Sequence, residues 1–455
     1  MTDRSAVAGG RRPDVADAVV GIAMLLSFAT LVWLGRGLTF FADEWAVMAE
    51  RPISLDSFLQ PFNEHWLGVT TVVYRLLLQA VGLGTYVPYL ALLAALHLIV
   101  VAEVYVLARR AAGPWVGAFA AIVVAFFGSG FENLFWAMQI GFVGATAMGL
   151  GALILFDGRP GPGRVAAATG LQTLAMMTSG FGIFTLVLVG LDLLFDPRRR
   201  RLILALFIPA GIYLAWYLVF GRSGVATARD PFTLGAALSV PYFVLDGVGT
   251  AFGSVLGIGP ILGRIAAVAL AVGIVWRLIR REDVPGRTLA AFGAIVFEYA
   301  LLGLLRAQLF DDAAEYSRYA YLSGIFALIG LASLIGPMRL PESGPRRLFA
   351  VTGLISVATL ALVWNVWLLR EGRELFADRA EKTRATVMVA EGDLGPGVDP
   401  SRAELLDRTV VRLREVLAEF GSPLHDSLAE DAVRPVAPAT VDEVRAELAK
   451  ETAGS

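Results

Sequence analysis

The sequence predicts an all-α, polytopic membrane protein, and three observations support that prediction. Hydrophobic residues make up 56% of the 455-residue chain, charged residues only 17%, and the mean hydropathy is +0.67. The apolar residues fall in long runs separated by short links that contain arginine, which is the pattern of helices that span a bilayer. We expect about eleven such helices, together with an external juxtamembrane helix and a small helical C-terminal tail.

The apolar runs are predicted to span the membrane at ~15 to 22 residues each. The first, residues 19–34, follows the basic N-terminal residues 1–18. It lacks a small-residue cleavage site, so we expect a retained helix and not a signal peptide. The other runs are residues 86–107, 114–127, 140–156, 165–177, 181–195, 202–220, 261–278, 288–305, 319–335 and 348–369.

The positions of the arginines predict the topology. Residues 67–84 form a further apolar run, which Arg75 and Gln79 interrupt. If this run does not cross, every arginine cluster lies on the side of the N-terminus, as the positive-inside rule requires. The clusters are Arg109 and Arg110, Arg159 and Arg164, residues 198–201, Arg277 with Arg280 and Arg281, and Arg346 with Arg347. We therefore predict that residues 67–84 are a juxtamembrane or re-entrant helix on the outer face.

If residues 67–84 do not cross, the alternation of the remaining spans also places other polar segments on the outer side of the membrane. They are the external loop of residues 35–85, the segments 128–139, 221–260 and 306–318, and the polar, helical tail of residues 370–455. The transmembrane domain is then residues 19–369, with the N-terminus inside and the C-terminus outside. Arginine far outnumbers lysine, and with abundant alanine, glycine and valine this indicates a bacterial genome rich in G and C, and hence the bacterial cytoplasmic membrane.

Composition also limits the chemistry. The chain contains no cysteine, so disulfides, thiolate metal ligands and cysteine nucleophiles are excluded. The three histidines, His65, His97 and His425, are too sparse for a metal site built from histidine. A net charge of −2 with segregated arginines gives no reason to expect nucleic acid as a partner.

The candidate site lies in the first external loop, in the segments Phe-Phe-Ala-Asp-Glu-Trp (residues 40–45) and Phe-Asn-Glu-His-Trp (residues 62–66). Asp43, Glu44, Glu64 and His65 are ionisable residues set among aromatic residues such as Trp66 at the predicted bilayer edge. Ionisable groups in that position are a site hypothesis by default. The alternative is a solvated loop with an aromatic belt, in which residues 63–66 cap the following helix.

In the order of its elements the chain resembles the GT-C superfamily of membrane glycosyltransferases. The resemblance covers most of residues 19–369: a first span, a large external loop that opens with an acidic pair, a juxtamembrane helix and then many spans. Asp43 and Glu44 stand at the place of the family's acidic motif, and residues 63–66 stand where some members have a His-Pro-Pro type segment. The resemblance implies Asp43 as base or orienting acid, with Glu44 as its partner.

The resemblance also implies the substrates. The donor would be a sugar on polyprenyl phosphate, held in membrane lipid, and the acceptor a glycan, lipid or protein of the cell envelope. An enzyme acting outside needs such a donor, because nucleotide sugars are cytosolic. Participation of a divalent cation is left open.

Sugar transfer of this kind needs a carboxylate for the acceptor proton and a cation for the leaving phosphate, which arginine binds bidentately. Arg318 is the first candidate for the phosphate, and Arg306 or His65 the second. Glu132 lies where a second external loop could approach the first. Arg318 could instead pair with an acid of its own loop, at Asp311, Asp312 or Glu315.

Two other functions fit the sequence. A transporter or lipid flippase would use Glu298, Arg306 and His97 as polar groups within the membrane. A non-catalytic assembly factor would use the tail as a docking domain. The concentration of ionisable residues in external loops favours chemistry at the outer surface.

Overall fold

A computed structural model describes residues 14–63, 65–224, 234–306, 313–337, 344–394 and 398–454. Nearly all of the regular structure is helical. The α-helices are α1 (Val15–Leu34), α2 (Asp43–Glu50), α3 (Leu55–Leu59), α4 (Gly68–Val81), α5 (Val87–Ala112), α6 (Pro114–Ala125), α7 (Glu132–Phe135), α8 (Ile140–Phe156), α9 (Pro162–Thr178), α10 (Phe181–Leu194), α11 (Phe207–Val219), α12 (Leu234–Leu256), α13 (Gly259–Ile279), α14 (Gly286–Arg306), α15 (Ser317–Ile335), α16 (Pro345–Glu391), α17 (Val410–Phe420) and α18 (Pro438–Gly454).

The remaining elements are short. In the described part of the chain, strands β1 (Glu404–Leu405) and β2 (Arg408–Thr409) form a two-stranded antiparallel hairpin. The 3₁₀ turns are Gly128–Gly130, Ala137–Gln139, Arg200–Leu206, Gly221–Gly224, Ala313–Glu315 and Glu430–Ala432. The described part of the chain therefore belongs to the all-α class, as predicted.

Within the described residues, eight helices are long and apolar enough to cross a membrane. They are Val15–Leu34, Val87–Ala112, Ala137–Phe156, Arg200–Val219, Ala237–Leu256, Gly259–Ile279, Gly286–Leu305 and Ser317–Ile335. Many of their large apolar side chains, such as Leu25 of α1 and Ile265 of α13, point outward and are exposed. Apolar side chains on the outer surface of the helices suit a lipid environment, because exposing them to water would cost free energy. The prediction of about eleven spans also needs the shorter helices and stays a prediction.

One sequence prediction is wrong. Residues 221–260 were expected to form a long external loop, but helix α12 occupies residues 234–256 of that segment. Asp246, a reason for expecting a polar loop, forms an ion pair with Arg264 of α13 at 2.7 Å. The glycines that suggested irregular chain allow close packing instead: a Cβ on Gly263 would clash with the carbonyl oxygen of Gly249.

Ion pairs bring Arg109, Arg110, Arg199 and Arg287 together at one end of the helix bundle, which we call the arginine end. Arg109, in the last turn of α5, pairs with Asp14 at 2.8 Å and with Asp17, both at the start of α1. The next residue, Arg110, pairs with Asp157 at the end of α8 at 3.1 Å. These contacts place the start of α1 beside the ends of α5 and α8.

The same network extends to two later helices. Arg287 at the start of α14 pairs with Asp157 at 3.0 Å and with Asp192 of α10 at 2.9 Å. Arg199, which follows α10, pairs with Asp192 at 3.1 Å. Arginines separated by up to 178 positions in sequence, Arg109 and Arg287, thus meet at one end.

The opposite end carries residues 35–86, and we call it the loop end. Gly35, after α1, lies against Leu90 at the start of α5, so the intervening chain leaves and returns at the same end. Thr70 at the start of α4 donates to the carbonyl of Thr178 at 2.8 Å. Helix α4 ends at Val81, six residues before α5 begins at Val87. Both ends of α4 therefore lie at the loop end.

The C-terminal tail covers the loop end. Helix α16 runs for 47 residues without a break, so its second half extends beyond the bundle. Arg384 of this half is buried and donates to the carbonyls of Gly37 at 3.1 Å and Leu38 at 3.3 Å. Farther on, the backbone N–H of Ser427 donates to the carbonyl of Gly84 at 2.9 Å. The tail and residues 35–86 therefore form one layer.

Candidate functional site

The acidic pair stands at the beginning of α2, in the loop end. Asp43 is the first residue of this helix and is half-buried, while Glu44 has no exposed surface. The residue before them, Ala42, has φ 48° and ψ −119°. Residues with a side chain rarely adopt that conformation, and such strained backbone is concentrated at functional sites.

Buried hydrogen bonds fix Glu44. Its Oε1 accepts from the hydroxyls of Tyr86, at 2.9 Å, and Tyr74, and its Oε2 accepts from the backbone N–H of Phe41 at 2.5 Å. Burial, with a smaller contribution from the charge of Asp43, raises the pKa of Glu44 to about 8, although the hydrogen bonds from Tyr74, Phe41 and Tyr86 oppose the shift. Glu44 is therefore placed to hold the turn that presents Asp43.

The predicted residues Glu132 and Arg318 form a pair. Glu132 begins α7, and its Oε1 lies 3.4 Å from Nη1 of Arg318, while its Oε2 accepts from the backbone N–H of Arg318 at 3.1 Å. The guanidinium of Arg318 also lies over the ring of Tyr316, 4.7 Å from the ring centre. The alternative for Arg318 was a pair with an acid of its own loop; among the described residues its acidic partner is Glu132 of α7.

Two contacts join this pair to residues 41–43, which we call the acidic turn. The indole N–H of Trp136 donates to the carbonyl of Phe41 at 3.2 Å. The guanidinium of Arg379, from the second half of α16, lies 4.7 Å from the ring centre of Phe41 and 4.9 Å from that of Phe376. Trp136 directly follows α7, so the turn before Asp43 abuts the segment that carries Glu132.

Arg379 is also electrostatically close to the Glu132–Arg318 pair. Burial lowers the pKa of Arg379, the Glu132 carboxylate raises it, and the Arg318 guanidinium lowers it. Arg379 was not among the predicted site residues, because it is a tail residue 336 positions from Asp43 with no local motif. The structure thus brings Asp43, Glu132, Arg318 and Arg379 to one region of the loop end.

A cavity of about 630 Å³ adjoins this region, in the range of small-molecule sites. Phe41, Ala42 and Arg379 line the side nearest the acidic turn. The tail forms the rest of the wall, through residues of α16, the β1–β2 hairpin and α18. Because most of this wall comes from the tail, the sequence of the first loop alone could not predict the cavity.

The second predicted segment lies elsewhere in the loop end and packs against helices. Trp66 is buried, stacks on Trp216 of α11 at 4.9 Å, and donates from its indole N–H to the carbonyl of Phe58 at 2.9 Å. His65 lies close against Gly180, and its backbone pairs with that of Phe62. These contacts connect the loop to α9, α10 and α11.

Some predicted residues cannot be placed. Glu64, Asp311 and Asp312 lie outside the described residues. Arg306 is the last residue of α14, and its side chain is likewise outside the described part.

Comparison with known protein families, curated proteins and solved structures finds no match to this chain. No group of three or more His, Asp or Glu side chains in the described ranges is placed to hold a metal ion. The arrangement of the site is therefore the basis for a functional proposal.

Polar groups also lie between the helices of the bundle. Nδ1 of His97 is 2.8 Å from the hydroxyl of Tyr321. Glu298 of α14 has no exposed surface, and neither of its carboxyl oxygens has a hydrogen-bond partner among the described residues. An unpartnered carboxyl group inside a membrane helix is costly and therefore a functional candidate.

Proposed function

We propose that this protein is a membrane glycosyltransferase of the GT-C type. It transfers a sugar from a polyprenyl-phosphate donor to a cell-envelope acceptor at the outer face of the bacterial cytoplasmic membrane. The observation that supports this proposal is that the segment carrying the Glu132–Arg318 pair and the guanidinium of Arg379 both contact Phe41, two residues before Asp43, beside a cavity. A carboxylate and cations are the groups that phosphate-leaving sugar transfer requires.

In this proposal each residue has one task. The Asp43 carboxylate accepts the proton of the acceptor hydroxyl as its oxygen forms a bond to the anomeric carbon of the sugar. The bond from that carbon to the phosphate oxygen breaks, and Arg318 stabilises the phosphate that leaves. Glu44, which is fully buried, is a positioning residue that holds the turn before Asp43.

The topology belongs to the same proposal. The arginine end faces the cytoplasm, in agreement with the positive-inside rule, and the loop end with the tail faces outward. With the N-terminus inside, the crossing by α1 leads to an acidic turn on the outer face. A donor anchored in the membrane then reaches the site along the lipid.

A transfer assay tests the proposal. Purified protein is incubated with a panel of radiolabelled polyprenyl-phosphate sugars and cell-envelope acceptor fractions, and sugar transfer is measured. Asp43→Asn keeps the shape and removes the base, so transfer should fall by ~10²-fold or more. Asp56→Asn, an exposed acid of the same loop, is the control and should keep wild-type activity. Unchanged transfer in Asp43→Asn would remove Asp43 from the catalytic role.

The second candidate function is a transporter, which the unpartnered Glu298 favours. Liposomes that contain the protein would then move a lipid-linked substrate or an ion across the bilayer, and Glu298→Gln would stop that movement. Transport activity that is lost in Glu298→Gln but kept in Asp43→Asn would favour this function over glycosyl transfer.

A further inference from the structure

Arg379 is a half-buried arginine of the tail that forms no ion pair with any acid in the described part of the chain. Arg434 and Arg373 pair with acids of α16. Arg384 and Arg414, which also lack an ion pair among those residues, donate to backbone carbonyls instead. A guanidinium without an acidic partner is available to an anionic ligand.

The aromatic rings beneath Arg379 leave its hydrogen-bond donors available. Phe41 and Phe376 contact the face of the guanidinium, at 4.7 Å and 4.9 Å from the ring centres. A contact of this kind orients the planar group without using its N–H donors. Arg318 is held in the same way over Tyr316, at 4.7 Å.

Arg318 and Arg379 lie near the same segment of the chain. Glu132, within 3.4 Å of Arg318, begins α7, and Trp136 directly after α7 donates to the carbonyl of Phe41, whose ring contacts the guanidinium of Arg379. Arg379 also lines the cavity of about 630 Å³ between the acidic turn and the tail. Two guanidinium groups placed in this way can hold one anionic group between them.

We infer that Arg318 and Arg379 together form a phosphate-group site, with one arginine from the helix bundle and the other from the part of α16 that packs with the tail. The inference rests on the proposed function where the phosphate is taken to be that of the lipid donor. The site is complete only when the second half of α16 lies against the acidic turn. The phosphate could come from a lipid headgroup or from a soluble phosphate that enters through the cavity, and the experiment separates these sources.

The test measures binding to full-length protein in nanodiscs by scintillation proximity. The probes are tritiated polyprenyl phosphate, tritiated polyprenol of the same length, and ³²P-labelled inorganic phosphate. Arg379→Gln should weaken polyprenyl-phosphate binding by at least ~10-fold, because a charged, bidentate contact is lost. Arg379→Lys should bind polyprenyl phosphate with an affinity between those of wild type and Arg379→Gln, since an ammonium keeps the charge but cannot make the bidentate contact.

A matched control separates a specific contact from general attraction to an anionic lipid. Arg370 is exposed on the same helix and is not among the residues that line the cavity, so Arg370→Gln should bind like wild type. Polyprenol, which has no phosphate, should bind wild type and Arg379→Gln equally. Thermal unfolding of each variant at the wild-type temperature confirms that the fold is intact.

The outcomes distinguish the inference from the proposed function. If Arg318→Lys weakens polyprenyl-phosphate binding and Arg379→Gln does not, the two-arginine site is wrong and the lipid-donor proposal stands. If wild type binds inorganic phosphate but not polyprenyl phosphate, and Arg379→Gln loses that binding, the site is correct and the lipid donor is wrong. Wild type that binds neither phosphate compound would overturn both.

Discussion

The hydroxyl of Tyr86 joins three separate segments through two hydrogen bonds. It donates to Oε1 of Glu44 at 2.9 Å and accepts from the backbone N–H of Ala137 at 2.8 Å. Glu44 lies in α2, Tyr86 directly precedes α5, and Ala137 begins the 3₁₀ turn before α8. The position of Asp43 relative to the bundle therefore depends on this buried hydroxyl, which a mutation can remove without touching Asp43.

The raised pKa of Glu44 predicts a specific dependence of stability on pH. The carboxyl group has a pKa of about 8 when folded, where burial is the largest cause, and an ordinary value of 4.5 when unfolded. The folded state binds this proton more tightly than the unfolded state does. The contribution of the Glu44 carboxyl group to folding stability is therefore fully present below about pH 4.5 and is lost as the pH rises to about 8. The unfolding temperature should fall across that range.

Two substitutions isolate the contribution of Glu44. In Glu44→Gln the fall in unfolding temperature between pH 5 and pH 8 should be reduced, whatever the change in baseline stability, because the titrating group is gone. Glu419→Gln, an exposed acid of α17, should keep the wild-type slope. An identical slope in wild type and Glu44→Gln would contradict the raised pKa.

Loss of Arg384 should detach the tail from the loop. Its guanidinium is buried and donates to the carbonyls of Gly37, Leu38 and Pro423 at 3.1 to 3.3 Å. Arg384→Gln cannot satisfy all three, so we expect a loss of ~3 kcal/mol or more and faster proteolysis of the tail. Arg402→Gln removes an exposed guanidinium of the same tail and should change neither result.

One methyl group added at Gly263 should force helices α12 and α13 apart. A Cβ on Gly263 would meet the backbone of Gly249 and Gly253, whereas a Cβ on Gly273 of the same helix would meet nothing within 4 Å. Gly263→Ala should therefore cost ~1–3 kcal/mol, measured as a lower unfolding temperature in detergent. Gly273→Ala should be neutral or slightly stabilising, because alanine favours helix. Equal effects would contradict the packing of α12 on α13.

Thiol labelling tests which side of the membrane each end faces. The chain has no cysteine, so each single-cysteine variant carries one reactive group. In intact cells an impermeant maleimide should label Gly84→Cys in the loop end and Ser401→Cys in the tail. Arg159→Cys, exposed in the link between α8 and α9, should react only after permeabilisation. The reverse pattern would place the acidic turn in the cytoplasm and overturn the proposed topology.

Much of the fold follows from local sequence. Runs such as residues 86–107 and 140–156 are apolar over many turns, and the corresponding helices are Val87–Ala112 and Ile140–Phe156. Residues 221–260 were misjudged because glycines and Asp246 suggest a loop when neighbours are unknown. In the structure both features stabilise the packing of α12 on α13, because the glycines allow the helices to approach closely and Arg264 pairs with Asp246.

The candidate site followed from sequence only in part. The acidic pair and Arg318 stand out because ionisable residues are rare in a chain of this composition. Whether an acid is exposed, like Asp56, or fully buried, like Glu44, depends on tyrosines supplied by other segments. The joining of Glu132 to Arg318 likewise depends on two helices that approach each other in space.

By itself the sequence determined the helical membrane class, because apolar runs long enough to span a bilayer have no other stable arrangement in lipid. It also predicted that the arginine clusters in the links between the spans lie on one side of the membrane. Only the tertiary structure decided that the tail covers that loop and that Arg379 faces Phe41, across 338 positions of chain. Burial, pairing and the cavity are properties of segments brought together by folding, and no local pattern encodes them.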